Sequence, residues 1–212
     1  MNRSFNAWKE GAKLYGPLLA VGVLTALFLW MWLAVLFLVV GGCVALFFRD
    51  PRRAVPGEDN VAVSAADGVV TDVAELDESP YYDGPCRRIS VFLSLLNVHI
   101  NRAPLAGTIR DIVYRPGLFI NAMKPESGEV NESNTIYLDT QWGPVTVRQI
   151  AGIVARRIVC SKTKGDGLAR GEKFGMIRFG SRTEVYLPLS AKVAVRPKDS
   201  VRAGSTVIAR LE

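Results

Sequence analysis

The 212-residue sequence predicts a mainly β (α+β) protein, with an N-terminal hydrophobic membrane segment over residues 1–48 and a β-rich barrel or sandwich domain over residues 49–212. Three observations predict it. From Pro17 to Phe48 there is no charged side chain. After that run, short stretches of Val, Ile, Thr and aromatic residues are broken about every ten residues by Gly, Pro, Asn or Asp, the pattern of strands and turns. A helical period is scarce beyond Phe48.

The apolar run comes first in the chain. As one helix its roughly 32 residues would reach about 48 Å, too long for one upright span and too short for two full ones. A tilted span and a shallow helical hairpin both fit. Arg3, Lys9 and Lys13 precede the run and Arg49, Arg52 and Arg53 follow it, so the preference of basic flanks for the cytoplasmic side draws both ends there and favours the hairpin. A cleaved leader would have a core of about 7 to 15 residues and a small-residue cleavage site. The run is longer and is followed by FFRDPRR, so it is expected to remain as a membrane anchor.

Eight strands are expected beyond the anchor: Gly68 to Val73, Arg88 to Leu93, Gly107 to Tyr114, Asn134 to Thr140, Pro144 to Ala151, Gly175 to Arg178, Glu184 to Pro188 and Thr206 to Arg210. The segments ADGVVTDV, LAGTIRDI and RAGSTVIARL each lead a strand with Gly, which suggests tight turns feeding a small curved sheet. The recurrence resembles the flattened sandwiches of lipoyl and biotinyl carrier domains. A fold of this kind hosts many chemistries and carries little functional information by itself.

Composition narrows the function classes. The formal net charge of +6 suits a negative partner surface, and anionic lipid is the partner that the apolar run points to. No Lys/Arg block interleaved with aromatics and no zinc-finger or helix-turn-helix spacing is present, which argues against nucleic acid. Cys43, Cys86 and Cys160 are odd in number and widely spaced, with no Cys/His ligand pattern, so neither a disulfide framework nor a metal site is indicated.

Three places could carry chemistry. His99, the single histidine, lies in VFLSLLNVHINRAP, at the end of an apolar strand where the sequence turns polar. Taken alone it is either a satisfied structural residue or the chain's only ordinary acid–base group near neutral pH. Asp67 in SAADG is either a plain turn residue or a carboxylate held toward a neighbouring strand, the usual helper of a histidine. Gly180 and Ser181, in RGEKFGMIRFGSRTEVYLP, sit between two strand-like runs, where Gly permits an unusual backbone and brings the hydroxyl close to the preceding carbonyl.

Five ordered blocks then add up to a resemblance that covers Phe47 to the C-terminus: FFRDPRRAVP, SAADG, FLSLLNVHINRAP, PGLFINAMKPESGEVNESN and GEKFGMIRFGSRTEVYLP. They resemble the blocks of short-form phosphatidylserine decarboxylases, which are pyruvoyl-dependent carboxy-lyases. The resemblance implies a zymogen in which the serine after glycine attacks the preceding carbonyl, an ester forms, and β-elimination splits the chain. Scission would fall between Gly180 and Ser181, giving a large chain, 1–180, and a small chain, 181–212, that remain associated. Ser181 would become a covalent pyruvoyl group, with no metal and no pyridoxal phosphate. Asp67 and His99 match the family's self-cleavage triad with Ser181.

By the same resemblance, the pyruvoyl group forms a Schiff base with the amine of phosphatidylserine and yields phosphatidylethanolamine and carbon dioxide at the cell membrane, with the catalytic domain on its cytoplasmic side. His99 is a candidate to protonate the carbanion. Longer relatives carry a second histidine where this chain has Leu96, so His99 or a water must cover its role. The loop from Tyr114 to Asn134 is a candidate substrate rim, with Phe119 and Ile120 toward lipid and Lys124 near phosphate.

Two motifs compete with this assignment. AGST at Ala203 to Thr206 resembles the LGST cleavage motif of longer relatives, but the family context surrounds Ser181 and not Ser205. Met123 and Lys124 resemble a biotin-attachment pair, yet Pro125 follows where a carrier hairpin would continue its strand. The alternative function is a catalytically inactive, membrane-anchored carrier-like or scaffold β-domain, which would stay one chain.

Overall fold

The structure is a computed structural model that describes residues 6–28, 31–153, 157–178 and 180–212. Arg3 lies outside the described residues. The chain divides into a helical unit, Asn6–Pro51, and a β unit that takes up the chain from Arg52 to Glu212.

The helical unit consists of α1, Ala7–Phe28, and α2, Met31–Phe47. A Cβ on Gly22 would crowd Leu38, and one on Gly41 would crowd Leu19, so the small residues let the helices approach closely. These pairs, with Gly11 against Phe48, run in opposite directions along the two helices, which are therefore antiparallel. Among the described residues no helix is long and apolar enough to cross a membrane. The physical reason is divided length: α1 spends its first turns on Lys9, Glu10 and Lys13, and the 17 residues of α2 rise only about 26 Å, short of a ~30 Å hydrocarbon core. Much of the pair's leucine surface is nevertheless exposed, including Leu24 and Leu27.

The β unit carries fourteen strands among its described residues. In chain order they are β1 (Val61–Val63), β2 (Gly68–Leu76), β3 (Cys86–Leu93), β4 (Ile100–Arg102), β5 (Gly107–Arg115), β6 (Ser133–Thr140) and β7 (Gly143–Ala151). Then follow β8 (Ile158–Cys160), β9 (Gly167–Leu168), β10 (Lys173–Ile177), β11 (Ser181–Pro188), β12 (Lys192–Val193), β13 (Ser200–Val201) and β14 (Val207–Arg210). One short helix, α3 (Ser127–Val130), lies between β5 and β6. Eight strands form a curled antiparallel sheet in the order β13-β2-β3-β11-β7-β6-β5-β9. Bulges in β2 between Val70 and Asp72 and in β5 between Ile109 and Asp111 add to its twist. Two three-stranded sheets, β1-β14-β12 and β4-β10-β8, complete the unit.

The inner face of the large sheet presents Val91, Leu93, Ile136, Leu138, Val147, Val185 and Leu187, which pack with Phe174 and Ile208 into one core. All eight strands read from the sequence are present, most of them one to three residues longer. The central strand β11 starts earlier than expected, at Ser181 and not at Glu184. Its outer face carries Arg182 and Glu184, and both are buried. Their burial is tolerable because Glu184 accepts from Tyr186 Oη at 2.7 Å and lies 3.1 Å from Arg182 Nε and 3.5 Å from Arg148 Nη1. The Met123–Lys124 pair occupies a turn, with Lys124 N–H donating to the Asn121 carbonyl, and runs on into α3 without forming a strand hairpin.

Candidate active site

His99 stands just ahead of β4 and not, as the sequence suggested, at the end of β3, which stops at Leu93. Between them the chain turns on Asn97, whose side-chain oxygen accepts from both the backbone N–H and the hydroxyl of Ser94 at 2.8 and 2.7 Å. The imidazole is fully buried. Its Nδ1 lies 2.9 Å from the Asn97 carbonyl oxygen, and the backbone N–H of Gly180 donates to Nε2 at 3.2 Å. These partners assign the neutral tautomer: Nδ1 carries the proton and donates it to a carbonyl, while Nε2 accepts. The basic lone pair of the chain's only histidine is thus directed at the Gly180 N–H, one residue ahead of Ser181.

That peptide has an unusual setting. Gly180 has φ +64°, in the left-handed region that other residues adopt only at a cost. A Cβ on Gly152 would overlap the Gly180 carbonyl oxygen, so Gly152 allows this carbonyl to seat against the end of β7. Ser181 opens β11, in register with Leu93 on one side and Ala151 on the other. Its hydroxyl is wholly buried and has no hydrogen-bond partner among the described residues. Leaving such a group unpaired costs about 1–3 kcal/mol, so a native fold that keeps it needs a reason, and a nucleophile held in reserve supplies one.

Asp67, 7% exposed, is fixed at both carboxylate oxygens: Arg53 Nη2 donates to one at 2.6 Å and the Ala203 N–H to the other at 2.8 Å. Arg53 comes from the FFRDPRR block, which gives that block a structural purpose. Asp67 and Asn97 line one polar cleft of about 600 Å³ together with Arg202 and Ser205. Asp67 thus shares this cleft with Asn97, whose carbonyl is a partner of His99 Nδ1. Ser205 belongs to a separate turn, in which its N–H donates to the Arg202 carbonyl, while the imidazole Nε2 faces Gly180.

On the other side of Gly180 a cavity of about 400 Å³ opens, lined chiefly by Phe92, Leu95, Leu96, Asn121, Ala122 and Ile153. The loop read as a substrate rim reaches it through Asn121 and Ala122. Phe119 is partly exposed beside them, Ile120 is half-buried, and Lys124 is exposed. Asn131, fully buried, fixes this loop: its side chain accepts from the Ile120 N–H at 3.0 Å and donates to the Ile120 and Ala151 carbonyls at 2.9 and 2.7 Å. Arg182 adds a second tie, donating from Nη1 to the Ala122 and Lys124 carbonyls at 3.3 Å. Burial pulls the Arg182 guanidinium below the usual arginine range; Glu184 opposes that pull and Arg88 and Arg148 add to it.

Sequence reasoning missed Gly152, Asn131, Asn97 and Arg182. Three of them act through backbone groups that no spacing reveals. Arg182 had a visible signal: a charge inside a strand-forming run, directly after the candidate nucleophile.

The family model described as phosphatidylserine decarboxylase matches residues 40–209. The chain is similar to the phosphatidylserine decarboxylase proenzyme of Carboxydothermus hydrogenoformans, 45% identical over 97% of this chain and 96% of the relative. It is similar as well to the proenzymes of Symbiobacterium thermophilum, 47% identical over 96% and 94%, and Magnetococcus marinus, 37% identical over 100% and 98%.

Proposed function

The chain belongs to the phosphatidylserine decarboxylase family, and from that membership we propose how its own residues carry the reaction. It is a phosphatidylserine decarboxylase proenzyme, a lyase that releases carbon dioxide from phosphatidylserine and leaves phosphatidylethanolamine. One observation carries the assignment of residues: the unprotonated Nε2 of His99 accepts from the Gly180 N–H, one residue ahead of Ser181, whose hydroxyl is buried without a partner among the described residues.

Processing comes first. His99 Nε2 takes the hydroxyl proton of Ser181, and the oxygen attacks the carbonyl carbon of Gly180. The Gly180–Ser181 amide bond breaks as a proton passes to the Ser181 nitrogen, leaving an ester. Removal of the Ser181 α-proton then breaks the Cβ–Oγ bond, and Gly180 departs as a carboxylate. The dehydroalanine at position 181 takes up water and loses ammonia, which makes it a pyruvoyl group. Chains 1–180 and 181–212 stay together, because β11 remains paired with β3 and β7. Asp67 acts from the Nδ1 side, where a carboxylate stabilises the imidazolium.

The residues fit a pyruvoyl group at position 181: a serine follows a left-handed glycine, beside an imidazole base and next to an open cavity. Such a group supplies an electron sink for the pair released with carbon dioxide. The chain's residues do the rest. The cavity receives the lipid head group, Phe119 and Ile120 meet the lipid, Lys124 meets its phosphate, and His99 Nε2 holds the proton that is returned. Leu96 offers no second imidazole, so that proton comes from His99 or through a water. The exposed leucines of α1 and α2 support an anchor at the cell membrane, with the β unit on the cytoplasmic side. The Gly-led strands support a scaffold of the carrier-sandwich kind.

Phosphatidylserine labelled with ¹³C in the serine carboxyl tests the assignment. Labelled carbon dioxide is expected, and hydroxylamine, which captures ketones, is expected to abolish it. An uncleaved chain that releases none would return the inactive scaffold.

A further inference from the structure

Single exposed aliphatic side chains are ordinary on a protein surface, but their convergence on one spot is not. The four most exposed large aliphatic side chains among the described residues of the β unit are Leu96 at 85%, Met123 at 61%, Ile153 at 60% and Leu118 at 59%. They come from three loops far apart in sequence, and all three loops meet at the cavity beside Gly180. Leu95, Leu96 and Ile153 line it directly, while the third loop contributes Asn121 and Ala122. Tyr114, Arg115 and Lys124, all exposed, flank Leu118 and Met123. An aliphatic cluster edged by an aromatic hydroxyl and two cations is the composition of a surface that sits in a lipid interface with its polar tips at head-group level.

Size selects the occupant. A cavity of about 400 Å³ is at the lower end of those that enclose a drug-sized molecule, so a diacyl lipid can place its head group there but not its chains. Chains drawn into water with the head group would lose hydrophobic stabilisation at about 0.8 kcal/mol per methylene. They avoid that loss if the mouth of the cavity meets the membrane. We propose that Leu95, Leu96, Leu118, Met123 and Ile153 form an apolar rim by which the β unit itself seats on a phospholipid bilayer, so that a lipid head group enters the cavity while its chains stay in the membrane. This rests on the phospholipid substrate assigned above and adds a second membrane contact to that of the helices.

The test compares the full-length protein with a Leu118→Asp/Met123→Asp variant, whose changed residues do not line the cavity. Both are offered long-chain phosphatidylserine in phosphatidylcholine vesicles and a short-chain phosphatidylserine dispersed as monomers. Self-cleavage and turnover of the dispersed lipid are expected to stay within about twofold, while kcat/KM on vesicles falls by about tenfold or more, equivalent to ~1.4 kcal/mol. Equal turnover on vesicles, or an equal fall on both substrates, overturns the rim. If the wild-type protein decarboxylates neither lipid, the substrate assignment fails, and the rim is decided by fluorescence. For that, a nitrobenzoxadiazole label is placed at Leu118→Cys in a Cys43→Ser/Cys160→Ser chain, with Glu75→Cys as control. Glu75 lies opposite Arg87, six residues and about 20 Å along β3 from the Leu93 end that flanks Ser181. A blue shift and quenching by lipid-borne spin labels at position 118, absent at 75, support seating; an aqueous signal at both overturns it.

Discussion

Gly152→Ala isolates the geometry of the scissile carbonyl from the chemistry of the triad. The added methyl would overlap the Gly180 carbonyl oxygen, and its other near neighbour, Ala122 Cβ at 3.3 Å, closes the alternative direction of escape. Gly152 follows β7 directly, and β7 is tied through β11, so the displaced group is the carbonyl. Relief takes a shift of about 1 Å, and misplacing a reacting group by that distance can cost about 100-fold in rate. At 1.36 kcal/mol per tenfold, that is ~2.7 kcal/mol on the barrier to self-cleavage. Pulse-labelled protein made in a cell-free system, followed by denaturing electrophoresis, gives the rate at which the 32-residue chain appears. A thermal melt establishes that the variant is folded. Decarboxylation per cleaved molecule should fall much less, since after scission Gly180 is a free C-terminus. A folded Gly152→Ala protein that cleaves at the wild-type rate would refute this geometry.

Other expectations follow from the same contacts. Arg53→Met leaves the Asp67 carboxylate buried with only the Ala203 N–H; loss of one partner from a buried pair costs about 3–5 kcal/mol, measurable by urea denaturation, and Arg53→Lys should recover part of it. Asn131→Ala removes three hydrogen bonds from the Ile120 loop and strands the Ala151 carbonyl, so a destabilisation of about 2–4 kcal/mol is expected together with a raised KM for lipid. His99→Ala should remain a single chain, with partial rescue by added imidazole detected as new 181–212 product. Glu172, despite its partial burial, is held below the usual carboxylate range by hydrogen bonds from Lys162 and the Ala169 N–H. Its contribution to stability is therefore present above the unfolded value and lost as pH falls through the lower folded one. Acid titration should show this loss in the wild type and not in Glu172→Gln.

Strand positions were legible in the sequence because alternation and Gly punctuation are local. Gly68, Gly107 and the Val185–Leu187 pair announced their strands without reference to the rest of the chain. Ser181 was legible through its block, yet its place at the head of β11 was not, because the expected strand began only at Glu184 and left the polar Ser181, Arg182 and Thr183 outside. The burial of Arg182 and Glu184 depends on Tyr186, Arg148 and the Ala122 and Lys124 carbonyls, partners that only the folded sheet assembles. Likewise the contact of His99 Nδ1 with the Asn97 carbonyl was not legible, because a backbone group carries no mark in the sequence. The apolar run showed its hydrophobicity plainly and its basic flanks favoured a hairpin, but the start of α1 at Ala7, ahead of the uncharged run, and the 17-residue length of α2 were not marked in it.

The central claim is that this chain makes its own cofactor at Ser181. Intact-mass spectrometry of the purified protein beside a Ser181→Ala variant tests it most directly. The wild type should give chains 1–180 and 181–212, the second with a blocked N-terminus of pyruvoyl mass, while the variant stays whole. A wild type that remains one chain, or that breaks before Ser205, would contradict it.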